Sequence, residues 1–401
     1  MLTLRPLVLT AGGQSRLALA GLAPGQAYRI VILPARERGA RFEQQGIADA
    51  TGRLEWTQIV GWQGAANCQV FAGDSSEALA TLHTYAAPAD LAVRRPLRCD
   101  LHIHTTYSDG KSSPSEMVVR GRKLGLDVLA ITDHNHYGAS LEAIDAARRA
   151  CLGLICYPGE EVTAPTWHLL AIGTTAPVGY APERAGYAGM RASIDIIHRL
   201  GGRAYLAHPY WSIENGRHHL TSGDYERLLA EGGLDGIELL GDVDWEDNLR
   251  SLARYHELDP ARRPPILSNS DTHRREHTYG TYWTLVFATS ATHAGVLAAI
   301  ADYHSVACAL LTLGQGSQPA RPHLAAYGPF ELVDLALFLD RHYYPLHDAL
   351  CRNEAELGRR LLAGDPLPAG AMARVRAELA ALEQECWGNN SNSEGPAGCR
   401  P

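Results

Sequence analysis

The chain has 401 residues, 46% apolar and 20% charged, an ordinary globular composition that excludes a disordered or fibrous protein. Its formal net charge of −8 leaves no basic excess to neutralise the phosphates of a duplex. No run approaches the roughly 18 consecutive apolar residues of a membrane span. The expected partner is therefore a small molecule, not duplex nucleic acid or a membrane.

The first residues, MLTLRPLVLTAGG, are apolar but interrupted by Arg5 and followed by Gln14 and Arg16, which does not match a signal peptide. Short β-rich runs then follow (RLALAGL, AYRIVILPA, LEWTQIV, CQVFAG and LATLHTYAA), separated by the turn sequences APGQ, DATG and GDSS. Residues 1–95 are thus predicted to form a small N-terminal β-sandwich. No cluster of reactive residues falls there, so packing or assembly into a homo-oligomer is its expected role.

Beyond the joint AVRRPLR (92–98) the pattern changes. Seven short apolar strands are predicted: CDLHIH, DVLAIT, GLICYP, HLLAIG, RAYLAHP, DGIELL and PILSNS. Helical runs such as PSEMVVRGRKLG, SLEAIDAARRA, MRASIDIIHRLG and WEDNLRSLARYHEL lie between several of them. Ser112 or Ser113 before Pro114 makes an N-cap with proline at the first helical position. Strand–helix alternation implies parallel strands, and the expected fold class is α/β, a distorted (β/α)7 barrel over 96–315. Residues 316–387 are predicted to be helical, packing on the barrel or forming an oligomer interface. The polar tail 388–401 is predicted to be disordered.

Histidines and carboxylates gather at the ends of the proposed strands, the edge of a parallel barrel where βα loops converge. The first strand ends His102-Ile103-His104, and residues i and i+2 of a strand share a side, so both imidazoles can reach one ion. Asp109 follows in the next loop. The second strand ends Thr132-Asp133-His134-Asn135-His136, the third runs into Gly159-Glu160-Glu161, and His168 begins the fourth. His208 closes the fifth, the sixth carries Glu238, and the seventh leads to Asp271-Thr272-His273. So many imidazoles and carboxylates in one barrel mouth would leave costly buried polar groups unless cations joined them. Eight cysteines without CxxC spacing point to a reduced compartment, and the cytoplasm is the expected location.

The ordered series LHIHTTYSDG, ITDHN, PGEEVT, HLLAIG, AHPYW and SNSDTH resembles the PHP (polymerase and histidinol phosphatase) family of metallohydrolases. The N-terminal β module with GEEVT, HLL, AHPYW and NSDTH looks like the carbaryl hydrolase-like branch. The resemblance covers 98–275 well and the C-terminal helices hardly at all. It implies two or three divalent ions (Zn, Mn or Fe). By that pattern His102, His104 and Asp271 would hold one ion, and Glu161 would bridge it to a second held by His168 and His208. Asp109, His134 and His273 would hold a third. Of the adjacent glutamates, Glu161 matches by its position two residues after Gly159.

Glu161 and Asp271 are accordingly assigned to the catalytic centre, with Asp133 and His136 as supporting or substrate-facing residues. Lys111, Tyr210, Arg217 and Arg274 are candidates for a substrate phosphate. Divalent ions would supply hydroxide at neutral pH and polarise the substrate oxygen. Three dications against three carboxylates leave about +3, which suits an anionic phosphoester; two ions leave about +1, which suits a neutral carbamate or ester equally. The expected function is a metal-dependent phosphoesterase for a small phosphomonoester, nucleotide or phosphodiester. The alternatives are a carbamate or carboxylic ester hydrolase, and a non-enzymatic protein that recruits a partner through its β module. The filled ligand set argues against the last.

Overall fold

Apolar and polar residues alternate along the N-terminal strands, and that alternation gives each sheet one buried face. In Arg53–Ile59, for example, Leu54 and Trp56 are buried between exposed neighbours. The computed structural model describes residues 2–214, 221–273, 279–315 and 318–388. It divides into two units, each with its own core: residues 2–94, 330–347 and 377–388, and residues 95–329 and 348–376.

The first unit contains a three-stranded sheet (Thr3–Arg5, Gln14–Ala20, Arg53–Ile59) and a five-stranded one. The order of the latter is Val8–Thr10, Ala80–Ala87, Gly64–Ala72, Ala27–Pro34, Phe42–Ile47. Leu17, Leu19, Leu54 and Trp56 of the first sheet share one core with Ile30, Ile32, Cys68 and Val70 of the second. The helix Phe330–His342 belongs to this unit. Its Asp334 accepts a hydrogen bond from Tyr85 Oη at 2.7 Å and pairs with Arg36. His342, at the end of that helix, lies 4.3 Å from His83, ring centre to ring centre.

The second unit carries the predicted strands, but not as seven parallel ones. One sheet has six strands, in the order Ile155–Tyr157, Val128–Ala130, Arg95–Asp100, Tyr282–Ala288, Ser305–Gln315, Gln318–Tyr327. The first three are parallel to one another and the last three antiparallel. The other sheet runs Gly159–Ala164, Trp167–Ile172, Arg203–Leu206, Gly236–Leu240, Ile266–Ser268. Two isolated bridges, Ile103 with Thr272 and His134 with Glu161, extend the pairing between strands of the two sheets. Leu101, Val128, Tyr157, Leu170, Tyr205 and Leu267, drawn from both, pack in one core.

Parallel order fails first between Gly159–Ala164 and Trp167–Ile172, which pair antiparallel. Only Pro165 and Thr166 separate them, and a two-residue loop can reverse a strand but cannot cross back to start a parallel one. The region 316–387 likewise departs from its helical expectation, because Gln318–Tyr327 is a strand paired with Ser305–Gln315. Helices Phe330–His342, Tyr344–Leu362 and Ala371–Trp387 follow, divided between the two units. The tail from 389 lies outside the described residues.

The helix Pro114–Lys123 starts at Ser113, not Ser112. Ser113 accepts from the Glu116 amide while Glu116 accepts from the Ser113 amide, a reciprocal cap with Pro114 at the first helical position. Near its end, Arg122 is fully buried, with Nε 2.6 Å from Glu354 Oε2 and Nη1 2.9 Å from Asp127 Oδ1. The other Glu354 oxygen accepts the Gly153 amide at 2.8 Å.

Two stability predictions follow from these contacts. Replacing Glu354 by Ala leaves the Arg122 guanidinium buried without its nearest carboxylate, and should cost about 3–5 kcal/mol in urea unfolding. The second concerns pH. Burial, with His83 and Arg341 alongside, holds His342 down to about 4, and burial also lowers His83. The unfolded chain therefore binds protons first as pH falls below about 6.5. Stability should fall between pH 6.5 and 4, and His342→Phe should flatten that slope in urea titrations across the window.

Candidate metal centre

Strand geometry brings the polar residues to one end of the second unit. His102 and His104 follow the Arg95–Asp100 strand two residues apart, and both imidazoles point inward and are buried. Their Nε2 atoms lie 3.1 Å apart. Asp271 Oδ1 is 3.2 Å from the first and 3.1 Å from the second. The same alternation separates the adjacent glutamates. Glu161 turns toward the histidines, whereas Glu160 turns away and accepts the backbone amides of Val178 and Gly179. Gly159 is required just before them, since a Cβ there would stand 2.6 Å from the Ala171 carbonyl oxygen across the hairpin.

That hairpin explains why His168 belongs here although it begins its strand. Reversal of direction carries the start of Trp167–Ile172 to the edge where the parallel strands end. His168 Nδ1 lies 2.8 Å from Glu161 Oε1, and His208 Nε2 lies 3.2 Å from the same oxygen. Glu161 Oε2 is 2.7 Å from His134 Nδ1 and 3.5 Å from Nε2 of both His102 and His104. One buried carboxylate thus faces five imidazoles. Asp109 completes the cluster, 3.2 Å from His273 Nε2 and 3.7 Å from His134 Nε2. Gly110 lets its loop close, because a Cβ there would come within 2.5 Å of the His104 carbonyl carbon.

The nine residues fall into four overlapping sets able to hold an ion, with donor atoms within 4.8 Å of one another. They are His104–Asp109–His134–His273, His102–His104–Asp271, His102–Glu161–His208 and His134–Glu161–His168. Donors about 2.0–2.1 Å from a tetrahedral ion stand roughly 3.4 Å apart. The separations of about that size among His102, His104 and Asp271 therefore fit one. The two Nε2 atoms face each other 3.1 Å apart, and neutral imidazoles so placed can both turn their lone pairs to one cation. Glu161 Oε2 is buried and accepts no well-formed hydrogen bond, as a metal-directed oxygen would.

Electrostatics point the same way. Burial opposes charge on His102, yet Asp271, Glu238 and Glu161 outweigh it and raise its pKa well above the ordinary imidazole value. Burial also opposes charge on His134, which Asp109 and Glu161 nonetheless push up to about 10. In return the imidazoles overcome burial and hold Glu161 and Asp271 well below the usual carboxylate range. The cluster is a site of negative potential that calls for positive charge.

A second layer of residues aims the imidazoles. Glu238 Oε1 is 3.0 Å from His102 Nδ1 and accepts from Asn269 Nδ2, while Oε2 accepts the His208 amide. Asp100 Oδ1 accepts the Ser270 amide at 3.1 Å, which fixes the backbone beside Asp271. Thr163 Oγ1 lies 2.6 Å from His134 Nδ1. His208, Asp271 and Asn135 all have positive φ (23°, 46° and 49°), strain of roughly 1–3 kcal/mol each concentrated at this edge.

The remaining residues named from the sequence lie around the cluster or outside the described residues. Asp133 faces the following loop, accepting Thr105 N, Thr105 Oγ1 and Ser108 Oγ, and touches none of the clustered imidazoles. His136 is exposed and packs edge-on against Tyr107, 4.7 Å between ring centres. Tyr210 packs against Tyr225 in the core beneath Ser222–Glu231; its neighbour Trp211 lies against His208 and His168 instead. On a helix adjacent positions face different sides, which the motif AHPYW alone could not assign. Lys111 is exposed, its amide bonded to the His273 carbonyl. Arg217 and Arg274 lie outside the described residues. Thr163, Asp100 and Trp211 were not singled out from the sequence, although Thr163 ends PGEEVT, Trp211 ends AHPYW and Asp100 sits two residues before His102.

The PHP domain family matches residues 100–244. A 5'-3' exoribonuclease of Haemophilus influenzae is 45% identical over 235 positions, covering 39% of this chain and 84% of that protein. The 5'-3' exoribonuclease Rnm of Escherichia coli is 41% identical over 141 residues, 35% of this chain and 42% of its own length. Among solved structures, a two-domain protein of Bacteroides vulgatus containing a predicted PHP-like metal-dependent phosphoesterase is similar with a TM-score of 0.43. It has 18% identity and covers 59% of this chain and 76% of that one. The match across 100–244, together with the high identity over most of the Haemophilus influenzae relative, makes this chain a member of the PHP domain family.

Proposed function

We propose that the protein is a cytoplasmic metal-dependent phosphoesterase acting on a small phosphomonoester, nucleotide or phosphodiester. The observation that carries this is Glu161, whose two carboxylate oxygens are shared among imidazoles from separate strands. In this reading the two sheets of the second unit are halves of a distorted (β/α)7 barrel, and the paired sheets of the first are a β-sandwich. His102, His104 and Asp271 hold one divalent ion (Zn, Mn or Fe), and Glu161 with His168 and His208 a second. Asp109, His134 and His273 hold a third.

When bound, such ions supply a water activated at neutral pH and positive charge for the substrate oxygens. The chain's own part is to hold the donors still and to leave room for the substrate. Glu238 locks the His102 ring through Nδ1, so that Nε2 keeps its lone pair turned inward. Glu161, buried among imidazoles, would be held still as a ligand. Asp109, more exposed, lies on the accessible side. Three carboxylates against three dications leave about +3, and that excess suits a phosphoester dianion. The exoribonuclease relatives are compatible with a phosphodiester, and the carbaryl hydrolase-like motifs with a neutral carbamate. Substrate assays separate the two.

The test is metal analysis of the purified protein alongside hydrolysis of p-nitrophenyl phosphate, bis-p-nitrophenyl phosphate and 1-naphthyl N-methylcarbamate. Near three equivalents of metal with phosphate-ester hydrolysis is the expected result. Two equivalents with naphthol release would replace the phosphoesterase reading by the carbamate one. Glu161→Ala should abolish hydrolysis and lose metal, whereas His256→Ala, on a surface residue bonded to Tyr327 Oη, should change neither. Full metal and activity in Glu161→Ala would overturn the centre. Glu238→Ala should weaken metal binding by about 10–100-fold, measured by competition with a chelator.

A further inference from the structure

The rim of the proposed centre carries an aromatic pair that none of the ligand assignments uses. Tyr107 stands two residues before Asp109, and His136 two residues after His134. The two loops meet where Asp109 approaches His134. The rings pack edge to face, 4.7 Å between centres at 62°. Both are exposed, Tyr107 at 41%.

Exposed rings are usually free to swing, but these are held. Tyr107 Oη donates to Glu142 Oε2 at 2.6 Å, fixing the ring from the helix Gly138–Arg149. The Tyr107 amide donates to Thr105 Oγ1 (3.3 Å), which itself donates to Asp133 Oδ2 at 2.6 Å. The His136 amide donates to the Asp133 carbonyl at 3.1 Å, so one residue organises both halves of the pair. Gly138 leaves the His136 ring its space: a Cβ there would stand only 3.3 Å from Cε1. A fixed, solvent-facing aromatic surface beside a phosphoester site is the arrangement that stacks a planar ring.

We propose that the nucleobase of a nucleotide substrate stacks on the Tyr107 ring, braced by His136 at 62° to it, so that the enzyme prefers nucleoside phosphates to sugar phosphates. This rests on the phosphoesterase reading for the identity of the phosphate site. The platform is open only to an unpaired base, because a base within a duplex presents no free face. Tyr107 and His136 are positioning residues here: the first stacks on the base, the second braces it, and neither takes part in bond cleavage.

The test is calorimetric binding of adenosine 5′-monophosphate, ribose 5-phosphate and 1-naphthyl phosphate to the metal-loaded protein, with phosphate release followed in parallel. The wild type should bind adenosine monophosphate about tenfold more tightly than ribose 5-phosphate. Tyr107→Ala and His136→Ala should each reduce that preference, leaving ribose 5-phosphate binding unchanged, and Tyr107→Phe should retain it. No preference in the wild type, or one that survives both alanine variants, would overturn the platform. A Tyr107 dependence seen for 1-naphthyl phosphate but not adenosine monophosphate would overturn the nucleobase assignment. Tyr107-dependent preference without phosphate release would sink the hydrolase reading while leaving the platform. Equal binding with release from both phosphates would do the reverse.

Discussion

A buried carboxylate among imidazoles is the constraint around which the second unit is organised. Glu161 is wholly inaccessible, and an ionised carboxylate in that position is tolerable only with compensating charge on both oxygens. That requirement dictates its neighbours. His168 must come from a strand running the opposite way, so the chain turns at Pro165-Thr166 without a helix. Gly159 must lack a side chain so the hairpin can close against Ala171. A one-residue slip would exchange Glu161 for Glu160 and send the wrong carboxylate inward.

Behind the imidazoles lies a scaffold of acidic side chains that take no position in the cluster. Glu238 ties the Gly236–Leu240 strand to His102, to the His208 amide and to Asn269. Asp100 ties the first strand to the Ser270 backbone, and Asp133 binds the loop leading to Asp109. Each bond joins segments far apart in the chain. These contacts hold His208 and Asp271 in backbone conformations that L-residues rarely adopt, so the strain at the site is supported by the pairing around it.

What the sequence revealed and what it hid divide along physical lines. His102 and His104 were legible by their i, i+2 spacing, whereas Glu161 was told from Glu160 only by the family resemblance, through its place two residues after Gly159. The helix at Pro114 was legible from its cap. What depended on how distant strands meet was not. The antiparallel hairpin was hidden because each of its strands, read alone, looks like any other apolar run. Asp133 was expected to support the site or face substrate, but its partners Thr105 and Ser108, on the loop that leads to Asp109, could not be named from the sequence. Tyr210 and Trp211 were indistinguishable until the short helix after His208 gave each a direction. Gln318–Tyr327 reads as irregular by itself and becomes a strand only through its partner Ser305–Gln315.

Depth within the cluster gives the centre a direction. The side chains of His102, His104 and Glu161 are fully inaccessible, whereas those of Asp109, His134 and His273 are exposed by 55%, 28% and 35%. A substrate can reach the cluster from that second group but not from the first, whose outer faces are closed by Glu238 and the core below. The Tyr107–His136 pair stands on the loops that carry Asp109 and His134, and so borders the open side. Trp211 instead lies against His168 and His208, on the more enclosed part. On the proposed phosphoesterase reading, a substrate's phosphate would meet ions held by the buried ligands while the rest of the molecule remained near the aromatic rim. In that reading specificity would fall to residues that bind no ion, on loops whose backbone is held by Thr105 and Asp133. Two members with the same ligand set could differ in substrate through the residue at position 107 alone.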